Sequence, residues 1–235
     1  MSTPALPSPT GFDDYAENYD AALDRGLSVS GEGKDYFAQE RVTWLARKLA
    51  QLGAQPSQIL DFGCGTGTAT PHLLGLNERV AVTGVEISAK SLLVARQEHG
   101  SPRARFVALA EYQPAGHVDL AFCNGVFHHI PLAERAEAVD LVFRALRPGG
   151  LFAFWENNPW NPGTRYVMSR IPFDRDAITL SVREAKRLLV TGGFTVVRTD
   201  FLFWFPRALR WLRGLEPLLT QVPLGAQYLV LCRKP

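Results

Sequence analysis

From residue 57 to residue 155 the chain alternates short apolar runs with stretches in which apolar side chains recur every third or fourth position. The runs predict strands near 57–62, 80–86, 104–108, 118–123 and 150–155, and the intervening spacing predicts helices over 68–76, 88–98 and 132–146. The last of these helices opens after Pro131 and stops at "RPGG". Two later segments, 194–203 and 226–232, read as further strands, with a helix near 181–191 ending at Gly192 and Gly193. Strands that alternate with helices in this way form a mostly parallel sheet covered by helices.

Other segments stand outside the alternation. Residues 11–55 read as helical and precede the first strand, while 156–180 form a long connection rich in Asn, Pro and Arg; the alternative to a functional role is a self-satisfied loop whose Asn-Pro pairs serve only as turns. A connection of that length in a compact domain is usually functional or disordered, and its Trp160, Tyr166 and Phe173 favour order. In "FLFWFPRALRWLRGLEPLL" Arg207, Arg210 and Arg213 recur beside Leu209, Trp211, Leu212 and Leu215, a pattern shared by interfacial helices, lids and dimer faces. The return through "GAQYLVLC" as a final strand weighs against docking on a membrane. The expected organisation is a flexible tail over 1–10 and a single domain over 11–235. Within it 11–55 form a helical lid, and 156–180 and 204–225 cover a pocket.

Composition narrows the function classes. With 235 residues and 46% apolar content the chain can bury one substantial core. Its 25 Lys and Arg against 23 Asp and Glu leave a charge of +2 with no basic stripe, which argues against a nucleic-acid partner. Cys64, Cys123 and Cys232 lie far apart with no C-x-x-C pair, so neither a zinc site nor a disulfide framework is expected, and a reducing cytoplasm suits them. The opening "MSTPALPSPT" lacks the basic start and apolar core of a signal peptide, and no apolar stretch reaches the roughly 18–20 residues that span a bilayer.

The chemistry begins at "ILDFGCGTGTATPHLL", residues 59–74, where three glycines follow an apolar run and an aspartate. A dinucleotide fingerprint needs a small residue where this chain has Thr68 or Thr70, and a phosphate loop needs a lysine that is absent. What remains is D-x-G-x-G-x-G, a turn that lets a ligand lie against bare backbone. "LDFGCGTG" resembles the first motif of the class I S-adenosylmethionine-dependent methyltransferases. The resemblance continues through Glu86 at the end of "VAVTGVEIS", through "VDLAFCNGVFHHI" at 118–130, and through "ALRPGGLFAF" at 145–154.

The resemblance implies an α/β Rossmann-like fold with a seven-stranded, mostly parallel sheet whose last strand is antiparallel, and S-adenosylmethionine as cofactor. It implies that Asp61, Gly63, Cys64, Gly65 and Asn124 line the cofactor site, with Glu86 on the ribose hydroxyls and Ile87 against the adenine. Many relatives carry an acidic residue after the third strand, where this chain has Leu109, Ala110 and then Glu111. Backbone groups of Leu109 and Ala110, or the Glu111 side chain, are left to contact the adenine. Tyr19, in "FDDYAENYD", resembles the aromatic of an N-terminal lid, as does Tyr15.

Methyl transfer from a sulfonium is an in-line displacement, so a protein supplies alignment and excludes water, and a base is needed only where the acceptor has a proton to lose. His128 and His129 follow the fourth strand and are the candidate bases; the alternative has one capping the turn at Ile130 and Pro131 while the other lines the cofactor. Glu156, Asn158, Arg165 and Tyr166 are expected to bind a polar acceptor, with Arg165 either on a substrate anion or paired to Asp174 or Asp176. Glu32, Tyr36 and Arg41 join them if the N-terminal segment covers the pocket. No metal is expected. The predicted activity is methyl transfer to a small molecule; the rival is a catalytically silent S-adenosylmethionine-binding regulator or scaffold.

Overall fold

The computed structural model describes Gly26, residues 30–171, Asp174 and residues 177–235. Seven strands, β1 (Gln58–Phe62), β2 (Ala81–Glu86), β3 (Ala104–Ala108), β4 (Val118–Asn124), β5 (Leu146–Asn157), β6 (Thr195–Leu202) and β7 (Gln227–Arg233), form one sheet in the order β3-β2-β1-β4-β5-β7-β6. The first five pair in parallel, and β7 runs antiparallel to both β5 and β6. This is the mostly parallel sheet with an antiparallel last strand that the sequence predicts.

The central strands are apolar on both faces because both faces are covered. Alternation along each strand deals side chains to two cores. Leu60, Phe62, Phe152 and Phe154 pack on one side with Val139 and Val142 of α4 (Arg135–Ala145) and Ala185 and Leu189 of α6 (Val182–Thr191). Ile59, Leu151, Ala153 and Trp155 pack on the other with Val42, Leu45 and Leu49 of α1 (Lys34–Gln51), which lie one turn apart along that helix. The shorter α2 (Thr70–Leu74) and α3 (Ala89–His99) follow β1 and β2.

Two elements differ from the sequence reading. β5 begins at Leu146, so "RPGG" lies inside the strand, and the pairing with β4 shifts register between Val118 and Leu120 to absorb it. The 156–180 connection contains a helix, α5 (Pro162–Arg170), because Asn161 caps it by accepting from Thr164 N at 2.8 Å and Pro162 occupies its first turn. The second Asn-Pro pair of the connection therefore opens a helix rather than a turn. Residues 207–215 form a 3₁₀ stretch, followed by α7 (Glu216–Leu219). Among the described residues no helix is long and apolar enough to cross a membrane.

Strand order reverses between β1 and β4. The carboxyl ends of those strands are where an open parallel sheet leaves a crevice for ligands.

Candidate functional site

The glycine turn leaves β1 and is pinned to its neighbour: the N–H groups of Gly63 and Cys64 both donate to Val85 O, at 2.8 and 3.0 Å. Gly63 and Gly65 serve different ends. At Gly63 (φ +72°) a Cβ would strike the Val126 side chain, whereas at Gly65 (φ +53°) a Cβ would meet open space, so there the backbone itself faces the site. Gly65 N donates to Oε2 of Glu86 at 3.0 Å, and Oε1 of Glu86 accepts from Ile87 N and Ser88 N at 2.8 and 3.0 Å. Three backbone donors thus hold the Glu86 carboxylate in place before any ligand arrives.

A cavity of about 420 Å³ opens beside this turn, and Asp61, Cys64, Gly65 and Asn124 are in its wall. Oδ2 of Asp61 and Oδ1 of Asn124 are buried there without hydrogen-bond partners. Burial, and then the nearby Glu86 charge, push the Asp61 carboxyl up to about 7. Two buried acceptors without donors, next to bare glycine backbone, suit a ligand that brings an ammonium and hydroxyl groups. The residues therefore fit the methionyl and ribose parts of S-adenosylmethionine. Glu86, Ile87, Leu109 and Ala110 stand outside this cavity, at the carboxyl ends of β2 and β3; Glu86 pairs with Ala108, and Leu109–Glu111 form a 3₁₀ turn. Tyr15 and Tyr19 lie outside the described residues.

The turn after β4 carries the histidines. Glu156 on β5 accepts from Phe127 N at 2.8 Å and bonds Nδ1 of His128 at 2.6 Å. Asp174 approaches from the segment after α5, with Oδ1 3.6 Å from Nε2 of His128 and 3.3 Å from Nε2 of His129. Burial alone would lower the His128 pKa, but Glu156 and Asp174 outweigh it and push it up to about 10. His129 moves the other way: burial, aided by the His128 charge, outweighs Asp174 and keeps its imidazole neutral. The two histidines, read alike from sequence, are in opposite protonation states at neutral pH.

The four expected acceptor contacts fare differently from the histidines. Glu156 is fully buried with both oxygens used as above. Asn158 is buried too; it donates to Pro223 O and Gly225 O and accepts from Trp160 N, which ties the strand end to the 223–225 segment. Arg165 and Tyr166 are exposed and absent from the cavity wall, because helical spacing gives that wall to Thr164, Val167, Met168 and Ile171 instead. Tyr166 is covered by Arg170, which stacks on its ring and donates to its hydroxyl. The expectation that Arg165 faces the acceptor is thus corrected.

Among the described residues Arg41 and Arg213 are the arginines in the cavity wall, and Arg41 is the more deeply buried. It is 9% exposed, lies beside the Phe37 and Phe203 rings at 6.0 and 5.7 Å, and donates through Nε to Oε1 of Gln227 at 2.8 Å. Gln227 is held in turn by donating to Oδ1 of Asn157 at 2.9 Å. Glu32 also lines the cavity but is paired with Arg213 at 3.0 Å, and that guanidinium lies over the Tyr36 ring at 4.7 Å. Burial pushes the Tyr36 phenol up to about 12, so it stays neutral. Asp174 and Gln227 carry no local motif, and only their tertiary neighbours reveal them.

Residues 60–152 match the family described as a methyltransferase domain. A trans-aconitate 2-methyltransferase of Methylobacterium nodulans is 31% identical over 220 residues, covering 84% of this chain and 83% of that protein. An O-methyltransferase of Penicillium expansum is 30% identical, covering 83% and 75%. The trans-aconitate 2-methyltransferase of an Azoarcus strain is 31% identical over 58% of this chain, a match that spans about half of that protein (53%). Among solved structures, a putative sarcosine dimethylglycine methyltransferase from Galdieria sulphuraria aligns with a TM-score of 0.65 at 16% identity, covering 94% of this chain and 98% of that one. The [4+2]-cyclase SpnF aligns over 100% and 99% with 0.64 at 16% identity, so the fold by itself does not specify the reaction. The sheet order, the glycine turn with its unpartnered Asp61 and Asn124, and relatives matched along most of their length agree: the chain belongs to the class I S-adenosylmethionine-dependent methyltransferases.

Proposed function

We propose that the chain transfers a methyl group from S-adenosylmethionine to a small-molecule acceptor that carries a carboxylate. The observation that carries the carboxylate is Arg41. A nearly buried guanidinium in the cavity wall, oriented by Gln227 and flanked by two aromatic rings, suits a planar anion. The Methylobacterium and Azoarcus relatives are named for trans-aconitate, a carboxylate, which supports this reading.

S-adenosylmethionine, when bound, supplies an electrophilic methyl group on a sulfonium. Gly63 to Gly65 and the acceptors of Asp61, Asn124 and Glu86 would hold it. Arg41 would orient the acceptor, and the aromatic and aliphatic wall from Phe37, Phe203, Trp204 and Met168 would exclude water. His129, the neutral imidazole of the pair, would take a proton from an acceptor hydroxyl; a carboxylate oxygen would need none. His128 would contribute its fixed positive charge. Cys64, Cys123 and Cys232 are buried free thiols, which supports the cytoplasm as the setting.

The test is transfer of labelled methyl from S-adenosylmethionine to a panel of di- and tricarboxylic acids and to their neutral esters. The acids should be methylated and the esters poorly. Equal rates for both, or transfer to neither, would sink the carboxylate reading.

A further inference from the structure

We infer that His128, His129 and Asp174 form a site for a divalent transition-metal cation in the wall of the cavity. Sequence gave no reason to expect one, since Asp174 is remote from the histidine pair and the cysteines are scattered. The fold brings one ligand atom from each of the three side chains within 4.8 Å of the others.

The distances are those of ligands that share an ion. At 3.6 Å, Nε2 of His128 and Oδ1 of Asp174 are too far apart for a hydrogen bond. Nε2 of His129 is 3.3 Å from the same oxygen. Two ligands each about 2.0–2.1 Å from a tetrahedral zinc ion stand roughly 3.3 Å from one another. The separations observed, 3.3 and 3.6 Å, are close to that edge.

The surroundings agree. Nδ1 of His128 is held by Glu156 at 2.6 Å, which fixes the ring and turns Nε2 towards Asp174. Metal-binding imidazoles generally donate the far N–H to a carboxylate, a backbone carbonyl or a water, and here it is a carboxylate. Glu156 and Asp174 are both buried, and once the cation displaces the Nε2 proton of His128, two carboxylates, two neutral imidazoles and a dication sum to zero where unbalanced charge is costly. All three ligands line the cavity, so a fourth position faces an incoming molecule. Two imidazoles and one carboxylate suit zinc, cobalt, manganese or iron(II), whereas magnesium and calcium prefer oxygen.

Binding of the cation stands on this geometry alone; its use rests on the methyl-transfer reading. There it would offer its open position to an oxygen of the acceptor and complement Arg41. The His129 lone pair cannot bind a cation and accept a proton in the same turnover, so the site would replace the imidazole base with a Lewis acid.

The untagged full-length protein, freed of metal with a chelator, should be titrated with Zn²⁺ by calorimetry and with Co²⁺ by visible absorption. One equivalent should bind, with the intense bands of tetrahedral, nitrogen-ligated cobalt. His129→Ala and Asp174→Asn should each weaken binding at least tenfold, while Asp140→Asn on the exposed face of α4 should leave it unchanged. S-adenosylhomocysteine binding, measured on every variant, reports whether the fold survives. Wild-type protein that binds S-adenosylhomocysteine but takes up no stoichiometric metal, or shows only the weak bands of hydrated cobalt, overturns the site and leaves the methyltransferase reading intact. Stoichiometric metal with no S-adenosylhomocysteine binding would do the reverse.

Discussion

Nδ1 of His128 and Oε2 of Glu156 meet at 2.6 Å with both side chains buried. The same carboxylate accepts from Phe127 N, so it anchors the whole turn after β4 as well as the ring. Glu156→Ala would leave a buried imidazole and a buried N–H without their acceptor, and the loss should be about 3–5 kcal/mol. Glu156→Gln keeps an oxygen for Phe127 and should lose less. Urea denaturation of the three proteins checks the order, and an alanine variant as stable as the wild type would mean that this pair does not anchor the turn.

The backbone N–H of Gly65 points at a carboxylate that three donors already hold. A carboxylate has about four acceptor sites, so Glu86 keeps about one for a ribose hydroxyl. Glu86→Ala should weaken S-adenosylhomocysteine at least tenfold, since hydrogen bonds to a charged group contribute about 1.5–3 kcal/mol. Gly65→Val should do more harm, because it forces a branched residue into φ +53° and fills the open face of the turn. Calorimetry that finds wild-type affinity in a folded Gly65→Val protein would remove the turn from the binding site.

Asp61 gives the ligand-free protein a pH dependence of unusual sign. Burial and Glu86 raise its pKa to about 7, above the value of about 3.9 for an unfolded aspartate, so between those values the folded state binds more protons. Stability contributed by this group is therefore present in acid and lost as pH rises through about 7, by about 4 kcal/mol at most. Asp61→Asn should flatten the decline between pH 5 and 8 while weakening a ligand that brings an ammonium to Oδ2. Melting curves at the two pH values, with and without S-adenosylhomocysteine, measure both effects. A variant whose decline matches that of the wild type would show that Asp61 is not the source.

Local pattern was enough for the sheet and the glycine turn because each depends on neighbours in sequence: the continuous apolar runs of β1 and β5, and the small residues of D-x-G-x-G-x-G. It failed where one residue type has two uses. Asn161-Pro162 begins a turn or a helix with the same letters; the start of the connection at the carboxyl end of β5 suggests that Arg165 lies over the crevice, whereas the helix puts it on the outer face of α5. His128 and His129 are the same residue type and differ in charge because Glu156, 28 positions along, holds the first with Asp174 nearby, while burial dominates at the second. Asp174 reads from sequence as a partner for Arg165, and its approach to the histidines is a tertiary contact between residues 45 or more positions apart.

The contrast between Arg41 and Arg165 tests the acceptor directly. Replacing either by Met preserves much of the stem and removes the charge. Arg41→Met would take from the cavity the guanidinium that Gln227 orients, so the acceptor KM should rise roughly 10- to 100-fold, the range of one charge-assisted hydrogen bond. S-adenosylhomocysteine affinity should hold, because Arg41 is remote from the glycine turn in sequence and belongs to α1 rather than to the carboxyl ends of β1 and β2. Arg165→Met, on the exposed face of α5, should change neither constant. Arg41→Lys separates charge from shape: a lysine keeps the cation but not the planar fork, and should recover only part of the lost affinity. If Arg165→Met raises KM and Arg41→Met does not, the acceptor lies over the outside of α5 rather than in the cavity, and the carboxylate reading built on Arg41 falls.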